Sequence, residues 1–130
     1  MGEALLINNT AGASPALAAT DTTLITGVVK ANQYKSVRIQ STVQISTTGT
    51  TVARTITLKI KLGSTVIATN TVVTLPEIRT VNQNIEYITN TAAANDSIGA
   101  GGTLTIAAIG SAADAQTTLI AKNLYVHSVE

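Results

Sequence analysis

The sequence predicts an all-β fold, an eight-strand antiparallel sandwich occupying residues 1–130 as one domain. Three observations carry this expectation. Apolar residues recur at every second position in several segments, which is the period of a strand with one buried face. Only 12% of residues are charged, against about 25% in an ordinary globular chain, so hydroxyl and amide groups must form the exterior. Threonine dominates that exterior, and its β-branch favours strands. The core must also be nearly ringless, because Phe and Trp are absent and the only rings besides His127 are Tyr34, Tyr87 and Tyr125. A length of 130 residues suits a single core and leaves no room for a second domain.

The elements follow in chain order. Ala4 to Asn8 is a short apolar run and reads as the first strand. Ala11 to Ala19, interrupted by Gly12 and Pro15, reads as a loop; helix competes at Ala16 to Ala19, but four residues after a proline make at most one turn. Thr22 to Val29 is β-branched and forms the second strand. Lys30 to Lys35 is a polar connector. In Ser36 to Ser46, Val37, Ile39, Val43 and Ile45 share one parity, so one face is buried. Thr55 to Leu62 alternates strictly, with Ile56, Leu58, Ile60 and Leu62 set between Thr55, Thr57, Lys59 and Lys61. Gly63 and Ser64 then form the two-residue loop of a hairpin to Thr65–Thr74, with glycine taking the unusual φ. Thr80 to Thr89 places Val81, Ile85 and Tyr87 on one side. Asn90 to Gly102 is a polar loop, and Thr103 to Ile109 and Thr117 to Val129 are the last two strands.

The final strand is unusual in carrying apolar residues on both parities. Ile120, Leu124 and Val126 fall on one, and Leu119, Tyr125 and Val129 on the other. An alternating strand of this kind requires cover on its second face, from a loop or a partner subunit. Tyr87, Leu119, Tyr125 and Val129 are the expected subunit-interface residues; the tyrosines either offer area and a hydroxyl to a seam or cap the edge of the core, with equal weight.

Charge and composition exclude several functions. Net charge is +1, with eight basic residues spread singly, so no stripe exists for a phosphate backbone and nucleic acid is not an expected partner. No cysteine is present, which removes disulfides, thiolate metal sites and thiol nucleophiles. Met1 to Thr10 lacks the pattern of a signal peptide, and no stretch approaches the ~18 apolar residues of a membrane span. The expectation is a chain made in soluble form without a signal peptide.

No catalytic constellation is evident. The acids Glu3, Asp21, Glu77, Glu86, Asp96, Asp114 and Glu130 lie far apart in sequence. His127 is the sole histidine and reads as a half-exposed residue of the last strand, with Ser128 on the opposite face. Gly99, Gly101 and Gly102 precede a strand, whereas a phosphate loop needs a following helix. The sequons at Asn8 and Asn95 are short patterns that arise by chance. No catalytic, cofactor-binding or metal-binding residue is assigned, no cofactor is expected, and the chain is expected not to be an enzyme.

The segments Tyr34-Lys35-Ser36-Val37-Arg38-Ile39, Thr55 to Thr65 and Leu124-Tyr125-Val126 together resemble the TNF-like, or C1q-like, trimeric jelly rolls of viral and phage surface proteins, over residues 20–130. The chain departs from that group in having Tyr87 where a Trp or Phe is usual. The resemblance implies jelly-roll topology and a structural virion protein, such as a head fibre, spike, turret or decoration protein, assembled as a homotrimer. It also implies partners: further copies of the chain, other capsid or fibre proteins and, for a binding head, a host-surface glycan. The loops Thr47 to Thr51, Thr91 to Gly102 and Ser111 to Gln116 would then face outward from a virion surface.

Overall fold

The structure, a computed structural model, describes residues 3–10, 12–29, 36–48, 53–73, 78–88 and 102–129. Among these residues nine strands form: β1 (Glu3–Asn9), β2 (Ala16–Leu17), β3 (Thr22–Val29), β4 (Ser36–Thr47), β5 (Thr55–Leu62), β6 (Thr65–Val73), β7 (Arg79–Ile88), β8 (Gly102–Gly110) and β9 (Asp114–Val129). The predicted eight are all present. The ninth, β2, lies within the stretch read as a loop, because its two residues pair with β9 and Leu17 inserts into the core, leaving no periodicity to read.

The strands form two antiparallel sheets. One has the order β1-β9-β4-β7, with β2 also pairing β9; the other has the order β3-β8-β5-β6. With β2 set aside, each sheet interleaves strands from both halves of the chain, which is the double Greek key of a jelly roll. The β5–β6 hairpin matches the sequence expectation: Leu62 pairs with Thr65 across Gly63 and Ser64, and Gly63 has φ 60°.

The core lies between the sheets. Val37, Ile39, Val43 and Ile45 of β4 face Ile56, Leu58 and Ile60 of β5 within one cluster, joined by Leu104 and Ile106 of β8 and by Leu119, Leu124 and Val126 of β9. Burial of each Leu or Ile of this kind contributes about 1.5–3 kcal/mol. Aliphatic packing thus supplies the core that the scarcity of rings demanded.

β9 departs from simple alternation. Thr42 pairs with Asn123 and Val43 with Ala121, so Lys122 is an extra residue, a β-bulge. The bulge reverses side-chain parity along the strand. Leu119 and Ala121 before it, and Leu124 and Val126 after it, all point into the core. Leu119, Leu124 and Val126, which the sequence places on two parities, therefore share one buried face, while Ile120 and Tyr125 remain half-buried on the other. The bulge carbonyl and side chain are satisfied by β4: the Ser41 hydroxyl donates to Asn123 O at 2.6 Å, and the Thr42 N–H donates to Asn123 Oδ1 at 3.1 Å.

β9 also begins at Asp114, three residues before the expected Thr117, which shortens the outward Ser111–Gln116 loop. Thr47 is not in a loop; it ends β4 as a buried residue whose hydroxyl accepts from the Arg79 N–H at 3.1 Å. The connector 30–35 and the loop 90–101 lie outside the described residues.

Candidate functional site

Of the expected interface residues, Tyr87, Leu119 and Tyr125 do not share a surface. Val126, Ile39 and Tyr87 form one inward row across β9, β4 and β7, so Tyr87 packs against the edge of the core. Leu119 pairs with Ile45 and is 0% exposed, and it has no surface to give a partner. Tyr125 belongs to the neighbouring, outward row with Asn8, Gln40 and Glu86. Val129 pairs with Glu3 and Ser36, and its side chain is outside the described residues. Tyr87 and Tyr125 thus serve opposite faces of one sheet.

The outward face of that sheet is polar and bonded across its strands. Thr42 Oγ1 donates to Asn84 Oδ1 at 2.8 Å, and the Ser46 and Thr80 hydroxyls lie 3.2 Å apart. His127 sits half-buried on this face beside Tyr125, their rings edge-on with centroids 6.4 Å apart. Its cross-strand partner on β4 is Arg38, a cation rather than a carboxylate. Its Nδ1 is buried and has no hydrogen-bond partner among the described residues. That environment gives a Ser-His-Asp relay nothing to run through at this position.

Two of the described acids, Asp114 and Asp21, have structural partners. Asp114 opens β9: its carboxylate accepts from the Gln116 N–H at 3.0 Å and the Thr117 hydroxyl at 3.2 Å, and Arg54 Nε lies 3.7 Å away. Asp21 lies over the outer face of the other sheet, where Lys59 Nζ reaches Oδ1 at 2.8 Å and Lys61 Nζ reaches Oδ2 at 3.4 Å. The hydrogen bond from Lys59 is the main cause of a carboxyl pKa below its ordinary value. The alternation of Lys59 and Lys61 was visible in the sequence. Their shared partner was not, because Asp21 is 38 residues from Lys59 and only the β3-β8-β5 order unites them. Among the described residues no group of three His, Asp or Glu side chains converges as a metal site.

A cleft of about 320 Å³ opens where β6 and β7, the last strands of the two sheets, part from each other. Ile45, Val72, Val73 and Val81 form its apolar lining, and Thr47, Arg79 and Gln83 supply polar groups. Val73, 61% exposed, stands at its rim, and Ile78, 77% exposed, immediately precedes Arg79. Sequence reasoning missed this region because the cleft is made by divergence of two edge strands, which no local pattern records.

No protein-family model matches the sequence, and no curated protein matches it. Solved structures do. A chain of the T13 infectious bursal disease virus particle superposes over 100% of this chain with a TM-score of 0.64 at 12% identity. A chain of the infectious bursal disease virus Gx strain superposes over 98% with a TM-score of 0.62 at 16% identity. This chain spans about a third of the length of those chains, 32% and 33% respectively. The likeness is one of fold: an all-β domain within chains of virus structures, with no matching family to support the TNF-like group specifically.

Proposed function

We propose that this chain is a structural protein of a virion, a jelly-roll unit that assembles as a homotrimer and presents its polar sheet faces and loops at the particle surface. The observation that supports this most is the end-to-end superposition on chains of two virus structures. The chemistry of the surface agrees with it. The outer faces carry Thr, Ser, Asn and Gln, and Asp21 and Asp114 are engaged in an ion pair and a turn rather than poised in a pocket. The function is assembly, and no catalytic step is assigned. A role as a spike or decoration protein, with other capsid or fibre proteins as neighbours, fits the same reading.

A glycan- or receptor-binding head is distinguished by an aromatic or carboxylate-lined groove. The cleft between β6 and β7 has an aliphatic floor and, among the described residues, no ring or carboxylate, so it does not favour that alternative. Molar mass in solution tests the proposal: a compact trimer at three times 13.3 kDa is the expected result, and a monomer at micromolar concentration overturns it.

A further inference from the structure

We infer that β6 is the strand through which two copies of this chain join, antiparallel across a two-fold axis, so that their four-stranded sheets become continuous. The inference takes from the assembly reading only the identity of the partner. It concerns a two-fold contact between subunits, not the trimer.

A sandwich leaves a free strand at each end of each sheet, and proteins protect such edges with charge, proline or covering groups. Two of the four edges here, β3 and β7, are covered or carry exposed charge. On β3, Leu24 O accepts from the Ala13 N–H at 2.8 Å and Thr26 O accepts from Asn9 Nδ2 at 2.7 Å, so the β1–β2 connection covers that edge. β1 pairs with β9 alone, but its last residue, Asn9, ties it to β3. β7 carries the exposed charges Arg79 and Glu86, and its Asn84 O accepts from Asn70 Nδ2 at 3.0 Å. β6 pairs with β5 alone, and among the described residues no other backbone group bonds to it. Its sequence, TVIATNTVV, has no charge and no proline; its bulge at Ile67 lies near the start of the strand and leaves residues 68–73 in regular register, with the Asn70 side chain directed to β7.

The exposed apolar residues point the same way. Of the four large hydrophobics exposed among the described residues, Val66 (44%) and Val73 (61%) lie in β6 and Ile78 (77%) lies just before β7. Only Val28 lies elsewhere.

The strand is also complementary to itself. In an antiparallel pair centred on Asn70, Thr69 stands opposite Thr71 of the second copy and Ala68 opposite Val72, and the central Asn70 meets its own equivalent. Thr69 and Thr71 are exposed on the outer face, whereas Ala68 and Val72 pack toward the core, so each pair matches in both chemistry and face. Hydroxyl and β-branched cross-strand pairs of this kind stabilise a ladder. A two-fold contact uses the same patch twice, and an uncharged patch meets its copy without repulsion.

The absence of cysteine permits a direct test of this register. Residues directly opposite have Cβ atoms about 4.5–5.5 Å apart, whereas diagonal neighbours are about 7–8 Å apart, beyond the reach of an unstrained disulfide. Thr69→Cys and Thr71→Cys are prepared separately, each checked for a wild-type melting temperature, and oxidised mildly alone and as an equal mixture. Thr26→Cys on the covered β3 edge sets the collisional baseline. The mixture is expected to give several-fold more covalent dimer than either variant alone. Dimer at the Thr26→Cys baseline, or equal dimer in every combination, overturns the inference. Molar mass separates this result from the trimer: a trimer without the crosslink refutes the β6 contact only, and a crosslink formed from a species that is monomeric on dilution refutes the trimer only.

Discussion

At the scale of single residues, Ser41 explains itself only through its partner. It interrupts the apolar series Val37, Ile39, Val43 and Ile45, and it is 1% exposed, yet its hydroxyl completes the hydrogen bonding of the Asn123 carbonyl at the β9 bulge. Ser41→Ala leaves that carbonyl without its donor and is expected to cost about 1–3 kcal/mol in a denaturant unfolding experiment. A change within 0.5 kcal/mol, as at an unremarkable surface site, would show that the bond does not support the bulge. Asp21 makes a pH-dependent contribution. Its folded pKa lies below the ordinary 3.8, so the unfolded chain takes up the proton first as acid is added. The stabilisation is present in full above the unfolded value and is lost as pH falls through the folded one. Asp21→Asn is therefore expected to flatten the acid limb of a stability-versus-pH curve and to leave its slope at neutral pH unchanged. An unaltered acid limb would remove Asp21 from the account.

At the scale of elements, legibility followed regularity. β4 and β5 could be read from period-two alternation because the extra residue at the β4–β9 register shift lies on β9, leaving β4's own parity intact, and no shift falls within the core-facing run Ile56 to Ile60 of β5; the β5–β6 hairpin could be read from Gly63 and Ser64. β9 could not be read this way, since one extra residue, Lys122, moves Leu124 and Val126 onto the face already used by Leu119 and Ala121. Counting parity along the sequence assigned these residues to two faces and suggested a covered seam. The same effect appears in β3, where the register shifts between Thr23 and Ile25 and both Leu24 and Ile25 are buried. β2 escaped notice because two residues carry no period. Deleting Lys122 is expected to turn two core side chains of β9 to solvent. At about 1.5–3 kcal/mol for each, with cavity costs added, that loss approaches a total stability of about 5–15 kcal/mol. The deletion variant should lack a cooperative melting transition by circular dichroism, and a transition within a few degrees of wild type would show that the register does not depend on the bulge.

At the scale of the whole molecule, the sandwich was legible and the surfaces were not. Fold class follows from alternation and composition, which local sequence records. The candidate interaction surfaces depend on which strands end the sheets and which edges the connections happen to cover. The bare edge of β6 beside a cleft opening toward β7 is a property of strand order, and it emerged only with the β3-β8-β5-β6 sheet. A chain with few charges, no cysteine and an aliphatic core must draw its stability from packing or from assembly. Whether this jelly roll works by assembling with its own copies is read from light scattering over a dilution series. The expected mass is three times 13.3 kDa in the micromolar range, rising above it at higher concentration where the β6 contact joins trimers; 13.3 kDa at every concentration overturns assembly.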